Sequence, residues 1–213
     1  MSILTEISQN LQQGRAKVVK ELVERAVGEG IDAKVILEQG LLDGMSVIGE
    51  KFKKNEVYVP QVLIAARAMK AGTEVLQPLL ASSGVKAKGK VVIGTVKGDL
   101  HDIGKNLVRM MMEGKGLEVV DLGVDVPAEK FVEKAKEIDA DIVACSALLT
   151  TTMTEIKVVV DEIVNAGIRD DVIIMVGGAP VTDSFCREIG ADIYTPDAAT
   201  AAEAAVEAIS SAV

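Results

Sequence analysis

From residue 90 onward the chain alternates short β-branched runs with amphipathic stripes, and that alternation admits few folds. The runs are KVVIGTV, LEVVDLG, DIVACSA, DVIIMVG and ADIYT. Between them Ile103, Leu107, Met110 and Met111, then Phe131, Ala135 and Ile138, recur at helical spacing. Ile156, Val159, Val160 and Ile163 do the same, as do Ala202, Ala205, Val206 and Ile209. Pro127 stands where a helix would start, and Gly116 and Gly167 where helices would end. Five strand–helix units of this length predict an α/β fold whose parallel sheet is covered by helices on both faces.

The expected sheet is doubly wound, with the flavodoxin-like strand order 2-1-3-4-5. The first 82 residues keep a different rhythm, helical throughout. Leu4, Ile7 and Leu11 form one stripe, and Val19, Leu22, Val23 and Ala26 a second. Leu37, Leu41, Met45, Ile48 and Phe52 form a third, and Val62, Ala65, Ala66, Met69, Thr73 and Leu76 a fourth. Gly14, Gly28, Gly30 and Pro60 punctuate them, which predicts a four-helix bundle. The small, polar, basic stretch ASSGVKAKGK at 81–90 suits a connection. The expected organisation is a helical domain over 1–82, a linker over 83–89 and a Rossmann-like domain over 90–213.

Composition narrows the partners. A net charge of −9 argues against nucleic acid and anionic membrane surfaces, and 2% aromatic residues with no Trp leave no stacking platform for single strands. No apolar run approaches the ~18 residues that span a bilayer, and MSILTEISQN lacks a basic-then-apolar leader. Cys145 and Cys186, far apart in apolar company, read as buried free thiols of a reducing cytoplasm.

The only histidine, His101, lies in VVIGTVKGDLHDIGKNLV (91–108), just after the first strand. In open α/β sheets ligands bind beyond the carboxyl ends of the strands, where the order reverses. His101 and the SALLTTT loop after the third strand both fall there. Imidazole ligates borderline metals, and a carboxylate on its other nitrogen fixes the tautomer, a role open to Asp99. Zinc requires about three or four protein ligands, which one histidine and two scattered cysteines do not supply. A tetrapyrrole-type macrocycle already fills the equatorial positions of its metal and needs one axial ligand. A solitary D-x-H is equally a loop hydrogen bond with no metal, and that reading stays open on these residues alone. Gly98, Gly104 and VGGAP at 176–180 leave room for a bulky ligand near the backbone. GTVKG is no P-loop, and no GxGxxG occurs, so a conventionally bound nucleotide is poorly supported.

Asp99-Leu100-His101-Asp102-Ile103-Gly104 resembles the D-x-H-x-x-G signature of cobalamin-binding domains. Forty-one residues then precede Ser146-Ala147-Leu148, similar to their S-x-L element, and 28 more precede Gly177-Gly178, similar to their GG element. Over nearly its whole length the chain resembles corrinoid proteins of methyltransferase systems and the cobalamin-binding module of methionine synthase, with the N-terminal bundle as its helical cap.

That resemblance implies cobalamin as cofactor, its cobalt cycling between cob(I)alamin and methylcobalamin. It implies base-off binding, with His101 as lower cobalt ligand, Asp99 as its hydrogen-bonding partner and Thr152 closing the relay. Ser146 and Thr150 would bond the displaced nucleotide tail, Leu148 would line its slot, and Gly177 and Gly178 would leave it room. Ala198 in TPDAAT matches a further tail contact. Phe52 and Val59 correspond to the apolar residues over the methyl face, and Glu38 to a residue at the corrin edge. By sequence alone Phe52 and Val59 are equally ordinary bundle core, and Glu38 a solvated face. The implied activity is methyl carriage between a substrate:corrinoid methyltransferase and a folate or thiol methyltransferase, with a corrinoid-reducing activator protein as a further partner. The rival expectations are the cobalamin subunit of a radical mutase, a cobalamin-dependent sensor, and a flavodoxin-like domain without a cofactor.

Overall fold

The computed structural model describes residues 2–83 and 86–212. The chain divides into two compact units, one comprising the chain up to Ala87 with Gly114–Gly116, the other Lys88–Glu113 with the chain from Leu117 onward. Positions 84 and 85 of the expected 83–89 linker lie outside the described residues.

The helical unit begins with α1 (Ile3–Gln12), capped by the Ser2 hydroxyl accepting from the Thr5 N–H, and α2 (Ala16–Gly28). A third helical segment runs through α3 (Ala33–Val35), a π-helical stretch (Ile36–Leu42) and α4 (Asp43–Lys53), and α5 (Val59–Ser82) follows. The Asp32 carboxylate caps α3, and the Tyr58 N–H donates to Gln61 Oε1 at the start of α5. Ile7, Leu11, Val19, Val23, Ala26, Leu41, Ile48, Val62, Ala65 and Leu76 from all four segments are buried.

The π stretch departs from the expected unbroken third helix. Within it Gly40, Leu41 and Leu42 are buried in succession, a broader buried arc than one amphipathic stripe presents. A Cβ on Gly40 would stand 3.1 Å from Ile7 Cγ2, so the missing side chain lets α1 lie close against this turn.

In the second unit β1 (Lys90–Thr95), β2 (Glu118–Asp121), β3 (Ile142–Ser146), β4 (Ile173–Gly177) and β5 (Ile193–Tyr194) form one sheet in the order β2-β1-β3-β4-β5. Every ladder is parallel. The helices α6 (Ile103–Gly114), α7 (Ala128–Ile138), α8 (Met153–Asn165), α9 (Asp183–Glu188) and α10 (Ala198–Ala212) make the crossovers and the final element. Pro127 is the residue capping α7, and Gly167, at φ 71°, follows α8. Buried on both faces, β1 and β3 are near-continuously apolar, which is why their runs stand out in the sequence. Cys145 and Cys186 are buried free thiols, and burial pushes the Cys145 thiol up to about 12. Among the described residues no helix is long and apolar enough to cross a membrane.

Candidate functional site

The register of the sheet sets out the site. Thr95, Ser146 and Gly177 end β1, β3 and β4 as ladder partners, so one row of residues marks the carboxyl edge. The chain leaves β1 through Val96, turns at Gly98 in the left-handed region (φ 79°), and reaches Asp99, whose N–H donates back to the Val96 carbonyl. That turn carries Asp99 inward, to complete burial.

The Asp99 carboxylate is saturated with donors. Oδ1 accepts from the His101 N–H (3.1 Å) and pairs with His101 Nδ1 at 2.7 Å. Oδ2 accepts from the Thr152 hydroxyl (2.6 Å) and from the Leu148 and Leu149 N–H groups (2.8 and 3.3 Å). Burial pushes the carboxyl upward, but the Thr152 hydroxyl, the Leu148 and His101 N–H groups and the His101 ring outweigh it. Asp99 is held well below the usual carboxylate range. The buried anion therefore ties the loop after β1 to the loop after β3.

His101 is the outward end of this arrangement. Its side chain is 50% exposed while that of Asp99 is 0%. With Nδ1 on a carboxylate, the ring presents Nε2, to which no described residue hydrogen-bonds. Around it Leu100 (72%), Ile103 (73%), Leu148 (42%) and Leu149 (42%) expose apolar side chains at the same edge. Asp102 and Gly104 are exposed too, Asp102 accepting from Asn106 Nδ2 at 3.1 Å. Ser146 is half-buried and Thr150 exposed, and neither hydroxyl has a partner among the described residues.

The two glycines after β4 differ in their reasons. A Cβ on Gly177 meets nothing within 4 Å, so that position is open. Gly178 has φ 124°, and a Cβ there would run into the Ala147 carbonyl oxygen, so its own loop packing demands glycine. Ala198 is buried at the start of α10, which leaves the same edge after β5. Glu38, Phe52 and Val59 belong to the helical unit. Glu38 is exposed, 3.9 Å from Lys34, and Phe52 and Val59 are half-buried.

The structure adds residues that the sequence pattern does not single out. Thr95 is fully buried and donates its hydroxyl to the His101 carbonyl at 2.8 Å. Asp125, at φ 54°, accepts from the Gly98 N–H with its carboxylate (2.7 Å) and donates its own N–H to the Asp99 carbonyl (2.9 Å). Lys105, at the start of α6, is buried and bonds both oxygens of Asp121 at 2.6 and 2.7 Å. A threonine at the end of an apolar run is the signal that could have found Thr95. Among the described residues no three His, Cys, Asp or Glu side chains cluster as a metal site.

Known proteins share this construction. The family described as B12 binding domain matches residues 89–206, and a second family of that description matches residues 3–77. A corrinoid protein of Desulfitobacterium hafniense (strain Y51) is 42% identical over 208 residues, 96% of each chain. Trimethylamine corrinoid protein 1 of Methanosarcina acetivorans is 47% identical over 180 residues, 84% of this chain and 83% of that one. Among solved structures, a chain of the methanol:cobalamin methyltransferase complex MtaBC from Methanosarcina barkeri superposes with a TM-score of 0.88 at 31% identity. That match covers 98% of this chain and 80% of the other.

Proposed function

The chain belongs to the B12-binding family of corrinoid proteins, with cobalamin as its cofactor, and from that premise we propose that it carries methyl groups between two methyltransferases. When bound, the corrinoid supplies a cobalt centre that accepts and releases a methyl group. The observation that carries the reading is the His101 ring, anchored through Nδ1 to a buried anion and presenting an unpartnered Nε2 at the carboxyl edge. With Nδ1 on the Asp99 carboxylate, Nε2 is the nitrogen that would ligate the cobalt. Thr152, Leu148 and Leu149 hold the carboxylate in place and keep it ionised.

The surrounding residues fit a large ring bearing a polar tail. Leu100, Ile103 and Leu148 offer apolar surface to the ring, and Gly98, Asp102 and Gly104 shape the loop that faces it. The unpartnered hydroxyls of Ser146 and Thr150 supply hydrogen bonds for the tail, the open position at Gly177 admits it, and Ala198 adds a small contact. Gly178 serves the packing of its own loop. Phe52 and Val59 are assigned to shielding the methyl group from water, and Glu38 to the ring edge.

The proposed partners are a substrate:corrinoid methyltransferase, a folate or thiol methyltransferase and a corrinoid-reducing activator. The similarity to a trimethylamine corrinoid protein makes methylamines the first donors to assay. The ligand assignment is tested by the visible spectrum of the His101→Ala protein reconstituted with cobalamin. Loss of the axial-nitrogen signature is expected, and an unchanged spectrum overturns the assignment. A methyl group on the native cofactor supports the carrier reading, whereas adenosyl would favour a mutase subunit.

A further inference from the structure

Apart from the buried Asp99, the loop that carries His101 has little side-chain packing to hold it. Leu100 and Ile103 are 72% and 73% exposed, and the His101 side chain is half exposed. Asp99 holds the ring at Nδ1, so the direction of the ring depends on where the main chain of the loop runs, and two residues outside the D-x-H-x-x-G stretch hold that main chain by hydrogen bonds. Resting on the reading that His101 ligates cobalt, we propose that Thr95 and Asp125 are positioning residues for His101, clasping the main chain on either side of Leu100.

Thr95 ends a strand whose preceding residues Val91, Val92, Ile93 and Gly94 are buried and apolar. A valine would fill the same space, and a buried hydroxyl needs a partner. Its partner is the carbonyl of the ligand residue itself, at 2.8 Å. On the other side of the same residue the His101 N–H is held by Asp99 Oδ1 at 3.1 Å. Both peptide groups of His101 are thus fixed.

Asp125 closes the loop from the β2–α7 connection. It accepts from the Gly98 N–H and donates to the Asp99 carbonyl, so the peptide groups before Gly98 and after Asp99 are fixed as well. It does so at φ 54°, a left-handed conformation that Asp and Asn tolerate and most residues resist. The β2–α7 connection is itself tied to β1, since the Thr95 N–H donates to the Gly123 carbonyl and the Val126 N–H to the Thr95 carbonyl. The clasp is therefore built on the sheet rather than on a loose loop.

The single histidine makes a direct test feasible. The full chain is grown with 15N-histidine, loaded with cobalamin and reduced to cobalt(II), and its electron paramagnetic resonance is recorded. An axial nitrogen from His101 splits the signal into doublets, whereas the corrinoid's own base leaves triplets. Thr95→Val and Asp125→Ala should each lower the ratio of labelled to unlabelled axial nitrogen by about fivefold to tenfold, the worth of one hydrogen bond. Thr95→Ser and Asp125→Asn should restore it, because each keeps the bonding atom. Imidazole 15N shifts of the protein without corrinoid should move in the same two variants and recover in the conservative pair. An unchanged ratio in Thr95→Val and Asp125→Ala overturns the inference, as does failure of both conservative variants to restore it. Should Thr95→Val not fold, the exposed Asp125 decides alone. Triplets in the unsubstituted protein would instead overturn the ligand assignment on which the inference rests.

Discussion

The Asp99 carboxylate has no exposed surface, yet donors reach both its oxygens from its own loop, from the loop after β3 and from Thr152. Asp99→Asn turns one oxygen into an NH2 group that must face N–H donors on whichever side it lies. Urea unfolding should show a loss of about 1–3 kcal/mol, the cost of leaving a buried polar group without its partner. Thr152→Ala removes the 2.6 Å bond to the anion and should cost about 1.5–3 kcal/mol. Thr152→Ser keeps that bond and should stay within about 1 kcal/mol of the parent, the worth of one methyl group. Cys145 gives a pH signature at the alkaline end. Burial raises its folded value from 9.0 to about 12, so its contribution is intact below the unfolded value and declines as pH rises from there toward the folded one. Cys145→Val should flatten the alkaline limb of a stability–pH curve.

At the scale of elements, the ion pair between α6 and the end of β2 fixes the helix that follows the His101 loop. Lys105 has a side chain 1% exposed and Asp121 one 18% exposed. Lys105→Met leaves a largely buried carboxylate with the Gly123 N–H (2.9 Å) and the longer Arg109 contact (3.4 Å) as partners, and should cost about 3–5 kcal/mol. The double variant Lys105→Met, Asp121→Leu should regain most of that loss, because no charge is left without its partner. Burial raises the Asp121 carboxyl, and the Lys105 bond, the Gly123 N–H and the Lys105 and Arg109 charges lower it further, with a net downward shift. Its stabilisation is therefore complete above the unfolded value near 3.9 and is lost as pH falls through the folded one. Urea midpoints measured downward from about pH 6 should fall in the parent and stay flatter in Asp121→Asn. The strands were legible because β-branched runs buried on both faces differ from amphipathic stripes. The π stretch was not, because Ile36–Leu42 keeps apolar residues at spacings that an ordinary helix also shows.

Across the whole molecule, the sequence exposed what is local and hid what is long-range. Asp99 and His101 sit two residues apart, so their pairing could be expected from the pattern alone. The Leu148 N–H lies 49 residues from the carboxylate it serves, and Asp125 lies 27 from Gly98, so only the parallel register brings them together. The resemblance pointed to Thr152 across the first gap and to nothing across the second. Binding acts at the same scale, since a ligand that prefers the folded chain stabilises it by mass action. Cobalamin at about a hundred times its Kd should add about 2.7 kcal/mol. Hydrogen exchange can locate that gain, because amides that open only on unfolding of a unit slow by the free energy added to that unit. Exchange should slow most in 96–104, 146–152 and 177–178, where the proposed contacts concentrate. If Phe52, Val59 and Glu38 also contact the cofactor, amides of α4 and the start of α5 should slow with them. Protection confined to the sheet unit would remove those three residues from the site while leaving His101 in it.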